Sequence, residues 1–155
     1  MNQNVTGLMI SVVFMFGTAL HLKKREGYIV KTMVKPVLKV VSFSSLALFL
    51  VMAYILRNQV VSYLVAFSAG TFILSSIYSQ GISEKGVHYF NGKTFVIPME
   101  KWQDLNEAVL SDGEVLGIEF SGRRTRVNQT YHPEDREKLV GTLREKELEV
   151  TIKDE

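Results

Sequence analysis

The chain carries two kinds of hydrophobic pattern, and the switch between them falls near residue 80. Three long apolar runs come first. "NVTGLMISVVFMFGTALHL", Asn4 to Leu22, holds no charged residue; at 1.5 Å per residue it reaches about 28 Å, against a bilayer core of ~30 Å. "VVSFSSLALFLVMAYIL", Val40 to Leu56, is slightly short. Val37–Lys39 extends it, because the Lys39 stem can follow apolar surface while its ammonium reaches the headgroups. "VVSYLVAFSAGTFILSSIYS" runs from Val60 to Ser79, and only Arg57-Asn58-Gln59 separates it from the second run. A soluble helix of this length shows a polar face; these runs show scattered Ser and Thr. The pattern predicts three transmembrane helices, about 4–22, 38–56 and 60–79, the last two forming a tight hairpin.

After Gln80 the apolar spacing becomes strand-like in "GVHYF", "KTFVIP" and "EVLGIEF". Asn91-Gly92 signals a type I′ hairpin between the first two, since both residues tolerate positive φ. Ser111-Asp112-Gly113 and Ser121-Gly122 mark later turns, Pro98 marks a strand end or edge, and "RRTRVNQTY" reads as a further strand. In "HPEDREKLVGTLREKE", Pro133 suits a first helical position and Glu134 and Asp135 suit the positive helix end. Leu139, Val140 and Leu143 form its apolar stripe, and Gly141 weakens it by ~1 kcal/mol relative to Ala. "LEVTIKDE" reads as a last strand or a frayed tail. The expectation is an α+β membrane protein. A transmembrane domain (1–79, with basic loop 23–37) precedes a small antiparallel sheet of about five strands closed by a C-terminal helix (80–155).

Charge follows the same division. Residues 1–80 are net +6 and residues 81–155 net −4, so the overall +2 says nothing about nucleic acid, and none is expected as a partner. Six basic residues crowd the segment 21–39, including Lys23, Lys24, Arg25, Lys31 and Lys35. Basic residues in short loops favour the cytoplasmic side. That places the N-terminus outside and the C-terminal domain in the cytoplasm of the inner membrane. The uncharged "MNQNVTG" lacks the positive start of a signal peptide. Lys23, Lys24, Arg25, Lys31 and Lys35 are candidate contacts to anionic headgroups, with Tyr28, Ile29, Met33 and Val34 dipping into the interface. The plainer alternative is a topology signal alone.

"ISEKGVHYFNGKTFVIPMEKWQDL", further strands and "YHPEDREKLVGTLREK" together resemble the small PH-like domains of bacterial membrane proteins, over roughly residues 80–147. Met99 stands where such segments often carry Trp, with Trp102 three positions on. The resemblance implies a PH-like sheet and a helix behind membrane spans. Some members of that broad group confer immunity to peptide bacteriocins.

Candidate chemistry is sparse. The chain has no Cys, which excludes disulfides, thiolate metal sites and cysteine nucleophiles. Arg123, Arg124 and Arg126, with Lys93 as a neighbour, are the sharpest polar cluster, suited to lipid phosphates or an acidic partner. The alternative is a solvated hairpin edge that discourages aggregation. His21, His88 and His132 lack ligand spacing, so neither a metal nor a cofactor is expected. Ala66 and Gly70 have a spacing that permits close helix approach. The spans hold no mid-membrane acid or Arg, which disfavours a transporter. The function expected is non-enzymatic: a membrane protein whose cytosolic module binds a protein partner or the inner leaflet. Immunity to a membrane-active peptide is the alternative, and an enzyme acting on lipid is a distant third.

The positive-inside pattern makes a direct prediction. Green fluorescent protein fused after Glu155 is expected to fluoresce in a bacterial host, and alkaline phosphatase fused there to be inactive. The opposite pair of results would reverse the orientation.

Overall fold

A computed structural model describes residues 3–56, 59–92, 95–123 and 125–154. The chain divides into two compact units, one of residues 1–24 and 35–78, the other of residues 25–34 and 79–155. It therefore crosses from one to the other three times.

The first unit is helical. Helix α1 spans Gln3–Glu26, α2 Pro36–Leu56 and α3 Val60–Tyr78, and all three are long and apolar enough to cross a membrane. Helix α1 continues four residues past its expected end, through Lys23-Lys24-Arg25-Glu26, because Lys, Arg and Glu are good helix formers. Leu8, Val12, Phe16, Val40, Phe43 and Phe67 are exposed. Helix α3 carries most of the packing. Gly70 faces Leu46 of α2 so closely that a Cβ would collide with that side chain, and Gly7 of α1 stands likewise against Val61. Phe14 meets Phe72 at 5.5 Å between ring centroids. Many of the scattered hydroxyls donate within their own helices. Ser45 and Ser76 donate to the carbonyls four residues back, Val41 and Phe72, at 2.8 and 2.9 Å.

The second unit holds two four-stranded sheets. The first sheet runs β1 (Tyr28–Lys31), β2 (Gly81–Ser83), β3 (Gly86–His88), β4 (Met99–Lys101), antiparallel throughout. The second has the order β7-β6-β5-β8. Strands β5 (Leu105–Asp112), β6 (Leu116–Gly122) and β7 (Arg126–Tyr131) form an antiparallel meander; helix α4 (Arg136–Glu145) follows, and β8 (Glu149–Asp154) returns parallel to β5. Val30, Ile82 and Val87 of the first sheet, Leu110, Ile118, Phe120 and Tyr131 of the second, and Leu139 and Leu143 of α4 share one core.

Several expectations are revised. The described residues of the unit form eight strands, not about five. Residues 25–34, expected as part of loop 23–37, belong with residues 79–155. Of the four residues expected to dip into the interface, Tyr28 and Val34 are buried within the protein, and Ile29 and Met33 are half-buried; the β1 ladder also satisfies the backbone. "KTFVIP" forms no strand among its described residues, and β3 pairs instead with β4, starting at His88↔Met99. Gly92 does adopt a positive φ of 68°, but Asn91 does not, and a type I′ turn needs both. The tight hairpin lies upstream, with Glu84-Lys85 joining Ser83 to Gly86. A Cβ on Gly86 would collide with the Glu100 carbonyl of β4. Pro133 starts a 3-10 turn, Pro133–Asp135, and the α-helix begins at Arg136.

The end of α4 is a Schellman motif. The Leu148 N–H donates to Leu143 O at 3.2 Å, and the Glu147 N–H donates to Arg144 O at 3.0 Å. Glu147 takes the left-handed position with φ 57°, where glycine is usual. Gly141, in contrast, sits inside the helix with nothing within 4 Å of where a Cβ would be. Exchanging the two preferences is expected to stabilise the unit. Gly141→Ala and Glu147→Gly should each add roughly 0.5–1 kcal/mol, read as higher urea midpoints; unchanged or lower midpoints would contradict the helix-end geometry.

Candidate functional site

The polar chemistry of the second unit gathers on the outer side of the β2–β3 hairpin. Strand alternation sends Ile82 and Val87 into the core and leaves Ser83 and His88 on the other face. A bulge between Tyr28 and Val30 puts Tyr28 opposite Ser83 and Val30 opposite Ile82, so one short strand serves both faces. The Tyr28 ring stacks on His88 at 4.9 Å.

Donors and acceptors here can be assigned. The Ser83 hydroxyl donates to Gly86 O at 3.1 Å and accepts the Lys85 N–H at 3.3 Å. Its single proton is spent, so His88 Nε2–H donates to Ser83 Oγ at 3.1 Å. Gln129 Nε2 donates to His88 O at 2.7 Å, and Tyr131 Oη donates to Gln129 Oε1. Tyr28 Oη donates to Ser79 O at 3.0 Å. The Trp102 indole donates to the carbonyls of Ser83 and Glu84, both at 3.1 Å. Burial pushes the Tyr28 phenol up to about 12, opposed by nearby Arg25. Burial, followed by Asp135, pushes Tyr131 well above its ordinary value. Both phenols are fixed donors at neutral pH. The network locks the two sheets together.

The helical unit has a comparable cluster. His21 is buried against Phe72, 4.9 Å between ring centroids. Its Nδ1 lies 3.0 Å from Ser75 Oγ and 3.2 Å from Ser76 Oγ. Both hydroxyls already donate to Phe72 O, at 2.8 and 2.9 Å, so Nδ1–H is the donor, shared between them. Activating a serine needs the opposite polarity, with imidazole accepting the hydroxyl proton. The cluster joins α1 to α3. A histidine at the end of an apolar run was its only sequence signal.

The residues singled out from sequence are not gathered into one site among those described. Arg123 is in the turn between β6 and β7 and exposed. Arg126 is on β7, paired with Glu119 of β6 at 2.9 Å. Arg124 and Lys93 lie outside the described residues. Lys23 and Lys24 are exposed on α1, Arg25 is half-buried, and Lys31 and Lys35 are exposed. His132 precedes the 3-10 turn without capping it through its side chain. No group of three His, Asp or Glu close enough to hold a metal occurs among the described residues.

Three features had no sequence signal. Arg136 holds Asp112 in a two-pronged pair, Nε to Oδ1 at 3.2 Å and Nη2 to Oδ2 at 2.9 Å, and that hydrogen bonding keeps the Asp112 carboxyl below its usual range. A shallow groove of ≈ 370 Å³ is lined by Lys85, Met99, Lys101, Trp102 and Gln103. The connection from β3 to β4 exposes Phe90, Phe95 and Val96 (37 %, 44 % and 57 %) while burying Ile97.

The Tyr28 phenol gives a pH prediction. Its folded value, about 12, exceeds the ordinary 10.0, so its contribution is complete below pH 10.0 and is lost as pH rises through about 12. Tyr28→Phe keeps the ring and removes the titration. The fall in unfolding midpoint across that window should be shallower in the variant, and an identical fall would show that Tyr28 is not the coupled group. No family model, curated protein or solved structure matches the chain.

Proposed function

We propose that this chain is a non-enzymatic, multi-pass membrane protein whose sheet unit works as a binding module in the cytoplasm, fastened to the surface it serves. The observation that carries the reading is the place of residues 25–34. The basic segment between two membrane-length helices forms strand β1 and puts Val30 into the module's core. The module is thus tied to helical segments at three points in the chain, with Gly27 alone between α1 and β1 and Ser79-Gln80 alone between α3 and β2. A module that had to leave the membrane would need one flexible linker; three short ties suit one that works at the membrane.

The PH-like resemblance, which runs over roughly residues 80–147, would take in strands β2 to β7 and helix α4 and leave β1 and β8 outside it. The serines beside His21 and His88 have spent their protons on backbone carbonyls, which favours structural over catalytic roles. Outward basic residues at Lys23, Lys24, Lys31 and Lys35 favour an anionic, cytoplasm-facing leaflet.

The carrying observation is open to test in native membranes. Val30 is 2 % exposed, and an unpaired buried carboxylate costs several kcal/mol (~3–5). Val30→Asp is therefore expected to speed proteolysis of residues 79–155 at least tenfold, while carbonate extraction still leaves the chain in the membrane pellet. Unchanged proteolysis would mean that the segment is a loop after all, and release by carbonate would end the membrane reading.

A further inference from the structure

We infer that the open edge of β4 and the groove beside it form a docking site for an extended, acidic segment of a partner protein, which joins the first sheet as a further strand. This names a partner class for the binding module above and rests on that reading.

Strand β4 (Met99–Lys101) is the last strand of the first sheet, and among the described residues no strand pairs with its other edge. The ladder decides which backbone groups face that edge. The Tyr89 N–H donates to Pro98 O at 3.2 Å, one step beyond the His88↔Met99 pair. Bonded and non-bonded pairs alternate in an antiparallel ladder. Val87↔Glu100 is therefore the next bonded pair, and Met99 and Lys101 turn their backbone groups away from β3. Lys101 gives its C=O to the 3-10 turn Trp102–Asp104 that follows. The Met99 N–H, the Met99 C=O and the Lys101 N–H remain, and none of the three has a partner among the described residues. Backbone groups two residues apart along an open edge are what an incoming strand pairs with.

The side chains beside the edge select the segment. Met99 and Lys101, two apart on a strand, share a face, and with Lys85, Trp102 and Gln103 they line the shallow groove of ≈ 370 Å³. The Trp102 indole is held by its two bonds to the carbonyls of Ser83 and Glu84, so this wall is set before anything binds. The lining has two lysines and no acid, in a half of the chain whose net charge is −4. Lys85 and Lys101 are exposed, and neither is ion-paired among the described residues. An extended segment turns alternate side chains to one face. Groove-facing positions that combine Asp or Glu with an apolar residue meet both the lysines and the wall of Met99 and Trp102. A guard against sheet aggregation needs only the lysines. A lipid headgroup would engage the lysines but not three backbone groups in strand register, so the edge favours a peptide.

Trp102 is the chain's single tryptophan and reports the groove directly. The full chain in phosphatidylcholine nanodiscs is titrated with a pool of heptapeptides that mixes Asp, Glu, Val, Ile and Leu at every position. A saturable shift of Trp102 emission is expected. The same pool with Lys in place of the acids, or N-methylated throughout, should give none. Lys85→Glu combined with Lys101→Glu should weaken the response by about tenfold or more, with proteolysis of residues 79–155 unchanged as the check on folding. No shift with the acidic pool would overturn the site, and so would a shift that survives N-methylation or the paired charge reversal. Emission that responds to phosphatidylglycerol in the nanodiscs but to no peptide would assign the groove to lipid instead. Pairing of nanodiscs without peptide, read by light scattering and abolished by the charge reversals, would assign it to a second copy. Carbonate extraction tests the underlying reading separately. Peptide binding by a chain that carbonate releases would keep the groove and end the membrane reading, and no binding by a chain that stays in the pellet would do the reverse.

Discussion

The pairing of β1 with β2 is the constraint on which the rest depends. It takes a four-residue strand from between two long apolar helices and makes it the edge of a sheet whose other strands come from residue 81 onward. The bulge between Tyr28 and Val30 lets that strand serve two faces: Val30 enters the apolar core beside Ile82, and Tyr28 covers the polar cluster of Ser83 and His88. Without the bulge, the period of two would send Tyr28 and Val30 to the same face. The sheet unit and the apolar helices are therefore not two domains in series, because the chain enters the second unit, leaves it and returns.

Both units manage their buried polar groups in the same way. Each histidine cluster is built around serines that donate to a backbone carbonyl and accept from imidazole. The assignment follows from counting protons, since a hydroxyl has one to give. The outcome is a pair of hydrogen-bonded joints, α1 to α3 in one unit and β2 to β3 in the other. Polar side chains that could have been read as chemistry hold elements together.

Much of this was legible in the sequence where the deciding interactions are local. An uninterrupted apolar run of membrane length fixes a helix whatever surrounds it, so α1, α2 and α3 fall where hydropathy puts them. The Leu139–Leu143 stripe marks α4, and Ser111-Asp112-Gly113 marks the end of β5. The α+β class follows from those elements. The candidate site was legible only in parts: Lys31 was singled out for its charge, but its place in a row with Gly81 and His88 was not, and Arg123 and Arg126 proved to be a turn residue and half of an ion pair.

The remainder was decided by tertiary structure, for identifiable physical reasons. "YIVK" is too short to declare itself against flanking lysines, and it becomes a strand only because Ile82 and Ser83, more than fifty residues on, supply its partner. "LNEAVLSD" conceals β5 because a bulge between Leu105 and Glu107 spaces its buried residues, Leu105, Ala108 and Leu110, by three and then two, breaking the alternation that marks strands. Asn91-Gly92 offers a tight turn that the chain does not use, since β3 meets its partner only at Met99. "EVTIKD" is a strand because β5 has an open edge for it to join in parallel. Local sequence determined which segments are helical and which are apolar; the strand partners, and with them the assignment of residues 25–34 to the sheet unit, depend on hydrogen bonds between distant residues that local pattern does not encode.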